Sequence, residues 1–223
     1  MAKNIRNLLI YHFHDRALKK ALQQHASGRL IYIGCGVKPY EELARPHVSA
    51  HVGLDRADPF NKKARPDLVG TAYEIPCGDA EFDVAMSTAA LEHLAEPERA
   101  LRECLRVLKP GGKAIYTVPF IFHVHAAPWD YYRFTNYGLE HVFKAAGFEI
   151  LEIKPLAGFW VTFGQMFVYY LMRFEKGPIK WTFIVPAIAL VVQALAFVLD
   201  TIDRAEQWTW TYLVVARKPV AAS

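Results

Sequence analysis

Between Arg29 and Tyr40 the chain reads Arg-Leu-Ile-Tyr-Ile-Gly-Cys-Gly-Val-Lys-Pro-Tyr, and this stretch constrains the fold more than any other. The apolar, β-rich run Leu30 to Ile33 predicts a strand that drives into Gly34 and Gly36 before a helix opens. Glycine at both positions removes side chains that would hold a ligand off the backbone. The helix N-terminus just beyond offers unpaired N–H groups to an anion. A strand, a Gly-x-Gly turn and a helix in this order read as a nucleotide or nucleoside-cofactor site at the edge of a parallel sheet.

Downstream the alternation repeats. His51-Val-Gly-Leu-Asp55 predicts a second strand ending in a carboxylate. It lies roughly 20 residues past the glycines, a position suited to accepting both hydroxyls of a ribose. The plainer alternative is a loop aspartate capping the next turn. Asp58–Lys63 reads as loop, Asp67–Ala72 as a short third strand, and Glu81–Ser87 as a fourth, apolar enough for helices on both faces. A helix begins at Pro97 with Leu101, Cys104, Leu105 and Leu108 on one face, and Lys109-Pro-Gly-Gly112 stops it before a fifth strand, Lys113–Pro119. Such alternation means the α/β class, with a Rossmann-like, doubly wound parallel sheet. Residues 4–25 read as one or two amphipathic helices in which His12 and His14 are surface or packing side chains, a substrate-lid role being the other reading.

Composition narrows the function. Across 223 residues the net charge is only +4, with Lys and Arg scattered, which argues against nucleic acid as a partner. Cys35, Cys77 and Cys104 sit far apart without metal-ligand spacing, so no disulfide framework and a reducing cytoplasm are expected. The first residues lack the apolar core of a secretory signal, which points the same way.

Several motifs occur in a fixed order: Ile33-Gly-Cys-Gly36, Gly53-Leu-Asp55, Phe82-Asp-Val84, Leu91-Glu-His93, Arg106 to Gly112, Tyr132-Arg-Phe-Thr135 and Gly138-Leu139. Together they resemble the class I S-adenosylmethionine-dependent methyltransferases, specifically the broad bacterial group of small-molecule and lipid methyltransferases. The resemblance covers about residues 28–155 and resumes at Tyr212–Pro219. It implies a seven-stranded sheet whose last two strands, Glu149–Ile153 and Thr211–Ala216, are an antiparallel pair. It also implies S-adenosyl-L-methionine as cofactor. Ile33, Gly34, Cys35 and Gly36 would lie against its methionine part, Asp55 would hold the ribose, and Arg56 would sit near the adenine. Thr71 and Ala72 would form the adenine edge and Ser87 would line the pocket. Three positions depart from the pattern. Tyr32 replaces a carboxylate, Lys38-Pro39 replaces a third glycine, and Thr71 replaces an adenine-side aspartate.

The acceptor side falls on the loop Phe120–Thr135. His123 and His125 share a side if this segment is extended, and Asp130 follows, but no third ligand at fixed spacing supports a metal, so none is expected. His125 is the candidate base or acceptor-orienting group, with His123, Asp130, Tyr131, Tyr132 and Arg133 around it. Arg133 reads as a structural or acceptor-orienting donor, and Thr135 or Asn136 as the cap of a helix ending at Gly147.

The remaining stretch is the most distinctive. Pro155–Met172 and Trp181–Leu199 carry no charge, and Arg173–Lys180 lies between them, so a hydrophobic helical hairpin turning at Gly177-Pro178 is expected. Each arm approaches the ~20 residues of a bilayer span. Spanning would carry Arg173, Lys176 and Lys180 to the far side, against the positive-inside bias, and Gln165, Gln193 and Pro186 suit lipid poorly. The hairpin is instead expected to lie in a membrane surface or roof an apolar acceptor site, with a homodimer contact as the other use. The expected layout is an N-terminal helical segment 1–27, a methyltransferase domain 28–155 and 211–219, and the hairpin 156–205. The function implied is methyl transfer to a hydrophobic or membrane-associated small molecule, on or near the cytoplasmic face of a membrane. A glycan or polar metabolite is the other acceptor class. A binding module without catalysis is the rival that Tyr32, Pro39 and Thr71 favour.

Overall fold

The computed structural model describes residues 5–56, 64–177 and 182–220. The predicted loop Asp58–Lys63, and Pro178, Lys180 and Trp181 of the hairpin turn, lie outside them. Two compact units emerge. One comprises Met1–Ala17, Phe120–His123 and Pro155–Thr211, and the other Leu18–Pro119, Val124–Lys154 and Tyr212–Ser223. The division departs from the layout expected of the sequence, because the N-terminal segment is not a unit of its own. A single helix, α1 (Leu8–His25), follows a 3₁₀ turn at Ile5–Asn7 and contributes residues to both units.

The larger unit is the sheet. Its strands are β1 (Arg29–Ile33), β2 (Ala50–Asp55), β3 (Leu68–Val69), β4 (Phe82–Thr88), β5 (Leu108–Pro119), β6 (Glu149–Pro155) and β7 (Thr211–Arg217), in the order β3-β2-β1-β4-β5-β7-β6. The first five pair in parallel. β7 runs antiparallel to β5: Gly111 N–H donates to the Lys218 carbonyl at 2.9 Å, and Lys218 N–H to that of Gly112 at 2.8 Å. Arg217 and Glu149 clasp β7 to β6 at the edge. Leu30, Ile31, Val84, Ala85, Met86, Ile115, Val214 and Val215 are wholly buried, as strands covered on both faces require. Helices α2 (Glu41–Ala44), α3 (Pro97–Val107) and α4 (Asn136–Ala145) belong to this unit. α3 buries Ala100, Leu101, Cys104 and Val107, close to the predicted face. Thr135 Oγ1 caps α4 by accepting from Gly138 N–H at 3.0 Å, and Gly147 ends it at φ +98°.

Two expectations are corrected. The third strand is only Leu68–Val69: Gly70 N–H gives a last bond to β2 at the Asp55 carbonyl, and Thr71 then bridges to Glu74 in a local turn that leads the chain away. Lys109–Gly112 does not interrupt the chain after α3: β5 already starts at Leu108, paired with Phe82, and the register shifts before Val84 meets Lys113. The extra residues are absorbed there, with Gly111 at φ +78° and Lys109 Nζ bonded to Asp83 at 2.8 Å.

The smaller unit is built on α5 (Phe159–Met172) and α6 (Ile184–Ile202), both inserted between β6 and β7. They approach closely, since a Cβ on Gly164 would stand 2.7 Å from that of Ala196. Leu9, Ala157, Val161, Ala196 and Trp210 form its core. Three buried polar residues inside these apolar helices tie them to the rest of the unit. Gln193 accepts from Leu9 N–H and donates to the Ile5 carbonyl, Gln165 donates to the Arg6 carbonyl, and Asp200 accepts from Gly158 and Val161 N–H. Asp200 thereby caps α5, whose own N-cap residue is glycine. His12 packs edge-on between Phe13 and Phe197, and His14 lies beside Trp210. The outer faces are apolar and exposed, at Phe163, Phe167 and Tyr170 on α5 and at Val191, Leu195 and Val198 on α6. Among the described residues α6 is the one helix long and apolar enough to cross a membrane, with a mean hydropathy of 2.1.

Candidate functional site

A cavity of about 510 Å³ opens in the sheet unit beyond the carboxyl ends of β1, β2 and β4. Parallel sheets of this class hold ligands there, because the turns that leave the strands diverge and expose backbone. The turn after β1 is anchored to its neighbour: Gly34 and Cys35 N–H both donate to the Leu54 carbonyl, at 2.9 and 3.1 Å. Gly34 sits at φ +70°, and a Cβ there would meet that of Ala90 at 2.9 Å. Only glycine fits.

Asp55 stands at the end of β2 on the cavity wall. Its Oδ2 accepts Gly36 N–H at 2.7 Å and its Oδ1 accepts Arg56 N–H at 2.8 Å. A carboxylate offers about four lone-pair sites, so both oxygens keep capacity for hydroxyl donors. Ile33, Gly34, Asp55, Arg56, Thr71, Ala72 and Ser87 all line this cavity. Cys35 and Gly36 do not. The Cys35 thiol turns into the core beside Gly53, and its pKa is pushed up to about 11 by burial and by nearby Asp55, while the Gly36 amide is spent on Asp55.

The departures from the family pattern have local explanations. Tyr32 is buried, and its phenol bonds Thr88 at 2.5 Å rather than facing a ligand. Lys38 adopts φ +52° itself, and its ammonium pairs with Asp67, which also accepts Gly53 N–H. Thr71 keeps its place at the cavity, with Tyr73 beside it.

Other wall residues were not singled out by sequence: Tyr73, His93, Tyr116 and Trp129. The Arg56 guanidinium lies 5.0 Å over the Trp129 ring, so a cation and an aromatic close one side of the opening together. For His93 the signal existed in the Leu91-Glu-His93 motif. For Trp129 it lay only in the aromatic density of its loop.

The acceptor-side residues separate. Of the six, Tyr131 lines the cavity. His123 belongs to the helical unit, stacked on Phe122 with Tyr169 edge-on. Asp130 is buried in a two-pronged pair with Arg133, at 2.7 Å on each oxygen, and accepts His125 N–H. The guanidinium beside it holds its carboxyl well below the usual carboxylate range. Arg133 also donates to the Tyr132 carbonyl, and the Tyr132 hydroxyl donates to that of Ala95 at 2.9 Å. These contacts shape the loop.

His125 stands behind the wall rather than on it. Its Nδ1 lies 3.3 Å from an Arg133 nitrogen and 3.5 Å from Asp130 Oδ2, and its Nε2 lies 3.8 Å from Glu92 Oε1. The imidazole that reaches the cavity is His93, whose Nδ1 donates to the Trp129 carbonyl at 2.7 Å and whose Nε2 is 3.7 Å from the same Glu92 oxygen. Glu92 is wholly buried and both carboxyl oxygens lack a hydrogen-bond partner. Burial pushes its pKa up to about 7. Glu92, His93 and His125 thus converge, with one donor atom each within 4.8 Å of the others.

Comparison with known proteins agrees with this geometry. Residues 31–116 match the family model described as a methyltransferase domain. A demethylmenaquinone methyltransferase of Paenarthrobacter aurescens (strain TC1) is 33% identical over 85 residues, covering 37% of this chain and 33% of that protein. A chloroplastic 2-methyl-6-phytyl-1,4-hydroquinone methyltransferase of Oryza sativa subsp. japonica is 31% identical over 164 residues, covering 66% of this chain and 48% of that protein. The matches thus span between a third and a half of these relatives' own lengths. Among solved structures, the [4+2]-cyclase SpnF superposes with a TM-score of 0.62 at 23% identity, over 93% of this chain and 81% of that one. That likeness is one of fold.

Proposed function

We propose that this chain, a class I methyltransferase by the domain at residues 31–116, moves a methyl group from S-adenosyl-L-methionine to an apolar small-molecule acceptor. The observation that carries the cofactor reading is Asp55 on the wall of a cavity floored by Gly34, with both oxygens already aligned by backbone amides. Asp55 would accept the two ribose hydroxyls, Thr71, Ala72 and Arg56 would border the adenine, and Gly34 would admit the methionine part against bare backbone. The cofactor supplies a methyl group on a sulfonium, and transfer to the acceptor is an in-line displacement. The protein's share is to hold both partners in line and exclude water. The rings of Tyr73, Tyr116, Trp129 and Tyr131 on the wall are compatible neighbours for the sulfonium charge.

Calorimetry with S-adenosylhomocysteine tests this. Charge-assisted bonds contribute about 1.5–3 kcal/mol each, so loss of two, about 3 kcal/mol or more, should weaken binding by at least about 100-fold in Asp55→Ala, and less in Asp55→Asn, which keeps an acceptor. No heat from the unaltered chain, or equal affinity in Asp55→Ala, overturns the reading.

An apolar, membrane-associated acceptor is supported by the relatives named for a menaquinone and a phytyl hydroquinone, and by the exposed apolar faces of α5 and α6. We place the hairpin on the cytoplasmic surface of a membrane, its outer faces in the interfacial layer. Co-sedimentation with anionic phospholipid vesicles should carry down the unaltered chain and leave Phe167→Glu and Val191→Glu in solution. Equal pelleting of all three removes the membrane claim. A dimer that the same variants dissociate assigns this surface to self-association instead.

A further inference from the structure

We propose that Glu92, His93 and His125 form a binding site for one divalent transition-metal ion of the zinc class, at the edge of the cavity. Three donors of the right chemistry meet there. Two imidazole Nε2 atoms stand 3.7 and 3.8 Å from the same carboxylate oxygen. Zinc bonds to nitrogen at about 2.0–2.1 Å and to oxygen at about 2.0–2.2 Å, so tetrahedral donors lie roughly 3.3–3.5 Å apart. The carboxylate oxygen needs to close on each imidazole by only a few tenths of an ångström, and the two imidazoles, whose donors lie within 4.8 Å, by at most about 1.5 Å.

The groups behind the donors match a metal site. The His93 Nδ1 bond to the Trp129 carbonyl fixes the proton on Nδ1 and leaves the Nε2 lone pair toward Glu92. His125 Nδ1 stands 3.3 Å from an Arg133 nitrogen and 3.5 Å from Asp130 Oδ2. The guanidinium can only donate, which puts the neutral ring's proton on Nε2, so ligation through Nε2 requires that proton to leave or to move to Nδ1, where Asp130 can accept it. The two segments are tied independently of any ion, since the Glu92 carbonyl accepts Tyr131 and Tyr132 N–H at 3.0 and 3.2 Å. Glu92 supplies the strongest argument. A wholly buried carboxyl with neither oxygen hydrogen-bonded is costly, and a cation ligated by it removes that cost. A histidine-histidine-glutamate set leaves a coordination position open, and with His93 on the cavity wall that position would take water or a polar atom of the acceptor.

The test uses the full, tag-free chain, stripped with chelator and titrated with Co²⁺, whose visible bands report low-coordinate nitrogen and oxygen ligation. One equivalent should bind, Zn²⁺ should displace it, and Glu92→Gln, His93→Gln and His125→Gln should each lower affinity by about 100-fold or more. His141→Gln, on an exposed face of α4, should change nothing. Absence of saturable uptake by the unaltered chain overturns the site and leaves the cofactor calorimetry untouched. Bands that persist in the three ligand variants overturn it equally. Glu92→Gln keeps the side-chain volume and removes a charge, so a variant that fails to fold at either histidine does not decide the matter.

Discussion

The Asp130–Arg133 pair gives the sharpest quantitative expectation. Asp130's side chain is 2% exposed and Arg133's 23%, with both carboxylate oxygens bonded at 2.7 Å. Replacing Arg133 by Met keeps most of the stem and strands a buried carboxylate. Breaking such a pair from one side costs about 3–5 kcal/mol, and partial exposure of Arg133 puts the expectation near 3 kcal/mol. For a chain of this size that is a fall in Tm of about 6–12 °C. Asp130→Asn should cost less, because the stranded guanidinium can reach water. A double-mutant cycle in urea should then return a coupling of about 2 kcal/mol. Affinity for S-adenosylhomocysteine should fall too, since the pair shapes the loop that carries Trp129 and Tyr131 to the cavity. A cost below about 1 kcal/mol with coupling near zero would refute the reasoning. Loss of turnover at unchanged stability would mean that Arg133 orients the acceptor instead.

Three further outcomes are expected. Gly34→Ala should bind S-adenosylhomocysteine at least about tenfold more weakly, since its Cβ would crowd Ala90 at a φ that costs L-residues about 1–2 kcal/mol; equal affinity in calorimetry contradicts this. Glu103 accepts from Arg106 and from Ile75 N–H, and these bonds, the Arg106 ones foremost, lower its pKa. A depressed carboxylate stabilises above its unfolded pKa and loses that contribution as pH falls through the folded value. Glu103→Gln should therefore cost about 1–2 kcal/mol at pH 7, with the gap to the unaltered chain closing below about pH 4; a gap independent of pH refutes it. Asp200→Ala should cost about 1–3 kcal/mol and speed hydrogen exchange at the first amides of α5; unchanged exchange there denies the cap.

The sheet was legible because its signals are local. Leu30–Ile33, the Gly34 turn and Asp55 lie within one strand–turn–helix–strand span, and their spacing carries the geometry. Lys109-Pro-Gly-Gly112 misled because those residues usually end an element, whereas here β4 and the end of β7 supply hydrogen-bond partners on either side. The acceptor side was the least legible. His123 and His125 look paired in sequence, yet one stacks on Phe122 in the helical unit and the other turns to Glu92. The convergence of Glu92 and His93 with His125 joins residues some thirty positions apart through the fold, and no fixed spacing announces it. The glutamines of the hairpin were read as misfits for lipid, and their partners in the Ile5–Leu9 backbone show their use.

Those glutamine bonds set an order of events for the newborn polypeptide. Gln193 fastens to Ile5 and Leu9 across 188 and 184 positions of sequence, so the Ile5–Leu9 turn waits for these partners until Gln193 has left the ribosome. For that interval the greasy arms have no finished neighbour, and whatever apolar surface lies closest to the exit tunnel has the first opportunity to shelter them.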